Sequence, residues 1–210
     1  MRSMRHEVLF GLFSGIVLLT NGCATMNESE CRHADWRIIG MEDGASGKQS
    51  SHIGRHRSAC AKYGVIPNLN QYLLGYDQGL VQYCTEQSGY SVGKSGEDYN
   101  GICPQGSEAL FLEGYRRGRE IYLLQQEIQE LREAIYADEA TIGELKDTVR
   151  ANEQEILRED ISQMNRGDLL RSVKKMEREI GRLQMTIRER KNDLEAWEIK
   201  LDEISGYGLH

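Results

Sequence analysis

The chain has 210 residues, a net charge of −7, 28% charged residues, two prolines and five cysteines. So acidic a chain gains no counterion-release drive on DNA or RNA, which sets nucleic acid aside as a partner. The length allows one modest core plus an extended appendage, and the crowding of Glu, Lys, Arg and Leu after residue 119 points to long helices. At the N-terminus, Arg2 and Arg5 precede an almost unbroken apolar run from Val8 to Leu19. As a helix that run spans about 18 Å, short of a hydrocarbon core of about 30 Å. A basic start, a short apolar middle and small residues at the exit predict a secretory leader over residues 1–22.

Leu18-Leu19-Thr20-Asn21-Gly22-Cys23-Ala24 resembles the lipobox of bacterial lipoproteins, although Thr20 stands where such sequences more often carry leucine. The resemblance implies that Cys23 takes a diacylglycerol and becomes an acylated (palmitate-type) N-terminus. Three acyl chains exceed the two-signal threshold for stable attachment to a membrane. Ala24 after the cysteine resembles lipoproteins sent to the outer membrane, so the expected location is the cell envelope, facing the periplasm. An ordinary leader with an unrelated cysteine is the plain alternative.

Four further cysteines, Cys31, Cys60, Cys84 and Cys103, are an even number in a chain expected to be exported. They read as two disulfides. Three pairings are open, and Cys31–Cys60 with Cys84–Cys103 is favoured because each closes a local loop. Each bridge is worth about 3 kcal/mol on the loop-entropy estimate. They mark residues 31–118 as a small stapled domain, tied by a tether at 23–30 to the lipid.

Within that domain, Asn27 and Glu30 form a capping-box signal for a helix running through Trp36 to Gly44. A Gly/Ser-rich turn follows. A second helix is expected from Ser51 to about Tyr63, stopped by Gly64. Pro67, Asn68 and Gln71 announce a third through Cys84. Residues 85–103, with Gly89, Gly93, Gly96 and Gly101, read as a glycine-rich, hairpin-like loop.

Three segments repeat two glycines four apart: Gly40 with Gly44, Gly75 with Gly79, and Gly114 with Gly118. Each interior glycine costs a helix about 1 kcal/mol relative to alanine, and close helix–helix approach would offset that. Charges between the glycines exclude the membrane version of this pattern. Three helices are therefore expected to cross in one core, filled around by Trp36, Tyr72, Tyr83, Phe111 and Tyr122. The alternative is a ligand held against the glycine backbone.

Cys31, Asp35-Trp36, Gly40, Asp43-Gly44, His56 and Cys60 belong to one pattern. Tyr72, Gly75, Gly79, Tyr83-Cys84, Gly93, Gly96, Tyr99, Cys103-Pro104, Phe111, Gly114 and Gly118 continue it. Over about residues 23–125 this is similar to domain of unknown function 2799, an uncharacterised family whose members are typically bacterial lipoproteins. The resemblance supports the anchor and the disulfides and implies no activity.

Beyond Gly118 the spacing becomes heptadic. Ile121, Ile128, Ile135, Ile142, Val149 and Ile156 stand seven apart, with Leu124, Leu131 and Leu145 at the second seam position. Asp138, Asn152 and Glu159 interrupt that position. Asn165-Arg166-Gly167-Asp168 reads as a break. A second series then runs Val173, Ile180, Ile187, Leu194 and Leu201, paired with Leu169, Met176, Leu183, Trp197 and Ile204. Residues 119–205 thus predict a coiled coil, either an antiparallel hairpin with its turn near 165–168 or a continuous helix pairing in parallel between chains. Residues 171–191 are net basic and 141–161 net acidic, which favours the hairpin near its tip. Residues 206–210 are left as a tail. The fold class is mainly α.

Gly89-Tyr90-Ser91-Val92-Gly93-Lys94-Ser95 looks like a phosphate loop but has one residue too few between its glycines and no strand before it. His52, His56 and Cys60 stand four apart, near Cys31 and His33, a spacing that suits zinc. Disulfide formation removes both thiols, so no metal and no cofactor are expected. No nucleophile elbow or catalytic carboxylate pair stands out, so no catalytic residue is assigned. Arg116-Arg117-Gly118-Arg119 reads as a solvated basic face.

The expected function is a lipid-anchored structural or adaptor protein. Its membrane partner is reached through the acyl chains, and its protein partner, or a second copy, through the coiled coil. A small binding module for a cell-wall or small-molecule ligand is the alternative, and an enzyme of unknown type the third.

Overall fold

The structure, a computed structural model, describes residues 26–206. The leader, Cys23 and residues 207–210 of the tail lie outside them. The described residues form helices α1 (Glu28–Arg32), α2 (Trp36–Ala45), α3 (Ile53–Ala61), α4 (Leu69–Tyr83), α5 (Glu86–Ser95), α6 (Gln105–Ile156) and α7 (Gln163–Gly206), with a 3-10 turn at Ser50–His52 before α3. Among them no helix is long and apolar enough to cross a membrane.

Local caps set most of these boundaries. Asn27 and Glu30 form the expected reciprocal box. The helix they start ends at Arg32, however, because Asp35 caps a new one by accepting from the amides of Arg37 and Ile38. Asn68 accepts from the Gln71 amide at 3.1 Å and opens α4. Gly64 follows α3 with φ +70°, a left-handed backbone suited to glycine.

The core consists of two crossed helix pairs, α2 with α4 and α5 with α6. A β-carbon built on Gly75 would stand 1.8 Å from the Arg37 carbonyl oxygen, and one on Gly40 2.0 Å from that of Tyr72. In the second pair, Gly114 would meet the Glu86 oxygen at 1.9 Å and Gly89 that of Phe111 at 2.0 Å. Gly44 and Gly79 correspond in the same way to Gly93 and Gly118. The match extends past the crossings. Gly47 and Gly96 both have positive φ and lie under the rings of Tyr83 and Tyr122. The hydroxyls of Tyr76 and Tyr115 donate to the carbonyls of Lys48 and Glu97. The domain is one unit built twice.

This corrects two expectations. Four glycine-faced helices cross, not three, and residues 86–95 are a helix rather than a loop. Thr85 caps α5 through the Ser88 amide, Gly96 closes it, and Gly89 and Gly93 are spent on packing against α6. Tyr72 and Phe111, both fully buried, fill the centre, with Tyr76, Leu80, Ile53 and the Cys84–Cys103 bridge around them. The Cys31–Cys60 bridge ties α1 to α3 in a smaller cluster with Met26. Both bridges are the favoured pairs.

α6 runs without a break across the expected boundary at 118/119 and becomes the first limb of an antiparallel hairpin with α7. Ile135, Ile142, Leu183 and Ile187 bury the seam, with Leu145, Ile180 and Leu194 beside them. Asp138, an interruption in the heptads, is met across the seam by Arg190, and Lys191 pairs with Glu139 at 2.8 Å. Of the second series, Trp197 is left exposed. The turn falls at 157–162, not near 165–168. Arg158 holds Glu155 and Asp160, Ser162 accepts the Asn165 amide in N-cap geometry, and Gly167 lies inside α7.

Position, not residue type, decides what a glycine is worth here. Gly75→Ala forces the Arg37 backbone away and is expected to lower stability by roughly 3 kcal/mol. Gly143→Ala and Gly181→Ala meet nothing within 4 Å among the described residues and are expected to raise it by up to about 1 kcal/mol each. Urea unfolding of the three variants measures both signs.

Candidate functional site

Among the matching positions at which the two units differ, one pair lies at the centre of the crossing. Where the second has half-buried Val92 and buried Phe111, the first has Asp43 and Tyr72 at the matching positions. Asp43, 2% exposed, sits on α2 beside Gly44, so the close crossing brings its carboxylate against α4. Asp43 Oδ2 accepts from the Tyr72 hydroxyl and from His56 Nε2, each at 2.8 Å, and Oδ1 accepts from Lys48 Nζ at 2.8 Å. His56 is delivered by α3, one turn before the Cys60 that the disulfide fixes to α1. Its ring is buried, and its other nitrogen, Nδ1, has no hydrogen-bond partner among the described residues. His52 stands edge-on to it, ring centroids 5.1 Å apart.

Burial alone would raise the Asp43 pKa. The three donors, Lys48, His56 and Tyr72, outweigh it and leave the carboxyl below its usual value. Burial also lowers the His52 pKa, helped by the charges of Lys48, His56 and Arg55 and opposed by Asp43. Tyr72 is raised, by burial first and then by its bond to Asp43, so it serves as a hydrogen-bond donor and not as an acid.

Asp43, His52 and His56 each offer a ligand atom, all within 4.8 Å of one another. The sequence-level zinc set fares differently. Cys31 and Cys60 are bonded to each other, and exposed His33 turns its Nδ1 to the Ser29 carbonyl. The phosphate-loop lookalike is α5, with both glycines covered by α6. The eight crossing glycines face helix backbone, which leaves none of them for a ligand. In the basic cluster, Arg117 pairs with Glu86 at 2.7 Å and Arg119 donates to the Gly96 carbonyl, so both brace α5 against α6. The sequence reading missed Asp43, Lys48 and Tyr72 as a group. The available signal was an aspartate on the glycine face of a helix, where an apolar residue belongs.

What emerges is a disulfide-stapled, two-unit helical domain that carries a coiled-coil hairpin. Residues 35–120 match the model of the family described as "Protein of unknown function (DUF2799)". The matched segment begins at the Asp35 cap of α2 and ends just past Gly118, so it encloses both crossed pairs and stops where the hairpin starts. No curated protein and no solved structure matches the chain.

Asp43→Asn is expected to cost about 2–3 kcal/mol at neutral pH, since the Lys48 ammonium loses its counter-charge and the buried donors of His56 and Tyr72 lose a carboxylate acceptor. With the folded carboxyl below the usual 3.8, the stability it contributes is complete above that value. It is lost as pH falls through the lower folded value. The gap between wild type and variant should therefore stay level from neutral pH to about pH 5 and close at more acid pH, as read by urea midpoints.

Proposed function

We propose that the protein is a lipid-anchored envelope lipoprotein with a structural or adaptor role, its hairpin being the element that captures a protein partner. The observation that carries this reading is the continuity of α6. One 52-residue helix is clamped in the stapled core at its start and forms the hairpin at its end, so a load on the arm reaches the core without a hinge. The turn at the far end of the arm carries two exposed apolar side chains, Leu157 (81%) and Met164 (74%), among the charges of Glu155, Arg158, Glu159, Asp160 and Arg166. Leu157 and Met164, flanked by charges of both signs, offer a protein partner apolar anchors within a polar rim. The leader and Cys23 supply the tether, and Ala24 directs it to the outer membrane.

The double variant Leu157→Glu/Met164→Glu in the full-length chain is expected to abolish partner crosslinking in intact cells while the helical circular dichroism is unchanged. Crosslinking that survives it moves the interaction to the core. Mass spectrometry of the membrane-extracted protein is expected to find Cys23 at the N-terminus with its acyl chains. A bare thiol with the leader still attached contradicts the anchor.

A further inference from the structure

Packing does not account for the polar cluster in the first unit. The second unit closes the same crossing with Val92 and Phe111, whereas the first places a carboxylate and a phenol there, adds the His56 imidazole from α3, and leaves its buried Nδ1 without a partner among the described residues. Removing a carboxylate from water is costly, and an apolar pair of similar shape is the cheaper solution. The cluster also has an approach from solvent. A cavity of about 320 Å³ lined by Lys48, Gln49, Ser51, His52, Arg55 and Asn100 opens beside it.

We propose that Asp43, His52 and His56 bind one divalent transition metal ion of the zinc class. Two imidazoles and one carboxylate are a donor set that such ions accept, with the fourth position left to water on the cavity side. Tyr72, donating to Asp43 Oδ2, orients the carboxylate from behind, the role outer hydrogen bonds play around metal ligands. Lys48 competes with the metal. Its ammonium holds Asp43 Oδ1, and with 43% of its side chain exposed it can swing into solvent as the ion enters. Arg55, which lines the same cavity, adds further positive charge, so Lys48 and Arg55 weaken the site without filling it. The disulfide-bonded cysteines take no part. The site is independent of the anchor and of the hairpin, so its failure leaves the proposed function standing.

The test is equilibrium dialysis of the full chain, disulfides intact, against zinc chloride at neutral pH, with metal counted by elemental mass spectrometry. Cobalt(II) absorption then reports the ligand geometry. One saturable equivalent is expected, with visible cobalt bands of four-coordinate intensity. His52→Ala, at a half-buried position outside the core, is expected to fold as wild type by circular dichroism and to lose about tenfold or more in affinity. Lys48→Met is expected to bind several times more tightly. No saturable zinc binding by the wild type overturns the site, as does zinc held equally well by His52→Ala. A Lys48→Met affinity that stays level or falls overturns the competitor role of Lys48.

Discussion

Backbone-on-backbone contact at eight glycines is the constraint on which this architecture rests. At each crossing a carbonyl oxygen or amide of one helix occupies the space a β-carbon would need on the other, so the helices approach far closer than side chains would allow. Each glycine weakens its own helix, and the loss is offset only if the helices meet. That makes each pair cooperative: α2 has little reason to be helical without α4, nor α5 without α6. A core made by close approach rather than by bulk is thin, and the disulfides supply what it lacks. Cys84–Cys103 joins the two units at their seam, and Cys31–Cys60 fixes α1 and α3 over the first.

Two copies of one unit permit an internal control that a single fold lacks. The crossing geometry, the positive-φ glycines and the tyrosine hydroxyl bonds recur in both, so the side chains that differ are not demanded by the crossing. Several matching positions differ, buried Leu80 against Arg119 among them, and at the centre Asp43 and Tyr72 stand against Val92 and Phe111, with His56 and Lys48 added from outside the pair. The crossing is duplicated and the Asp43 cluster is not. The family match covers both units and ends before the hairpin, so the polar cluster lies within the matched domain and the arm beyond it.

Sequence exposed the features whose cause is local. The Asn27–Glu30 box, the Asn68–Gln71 cap and the glycine stop at Gly64 each need only a few neighbouring residues, and each lies where its chemistry places it. The heptads were equally legible because their period is itself the packing signal. What stayed hidden depends on partners far along the chain. Residues 86–95 look like a loop because five of the ten are glycine or serine, and their helicity comes from α6. Gly167 and Asp168 imitate a helix break, but the chain turns earlier, where Arg158 gathers Glu155 and Asp160. His56 and Tyr72 meet Asp43 from 13 and 29 residues away, across a staple and a crossing, and no spacing rule reports that.

Hydrogen–deuterium exchange of the intact, oxidised chain tests the doubled crossing most directly. If two equivalent glycine-faced pairs form the core, the amides of residues 86–95 exchange as slowly as those of residues 36–45, both near the rate of global unfolding. Rapid exchange through 86–95 with protection confined to 36–45 contradicts the account, because the second unit would then be a loop and the domain would hold a single crossed pair.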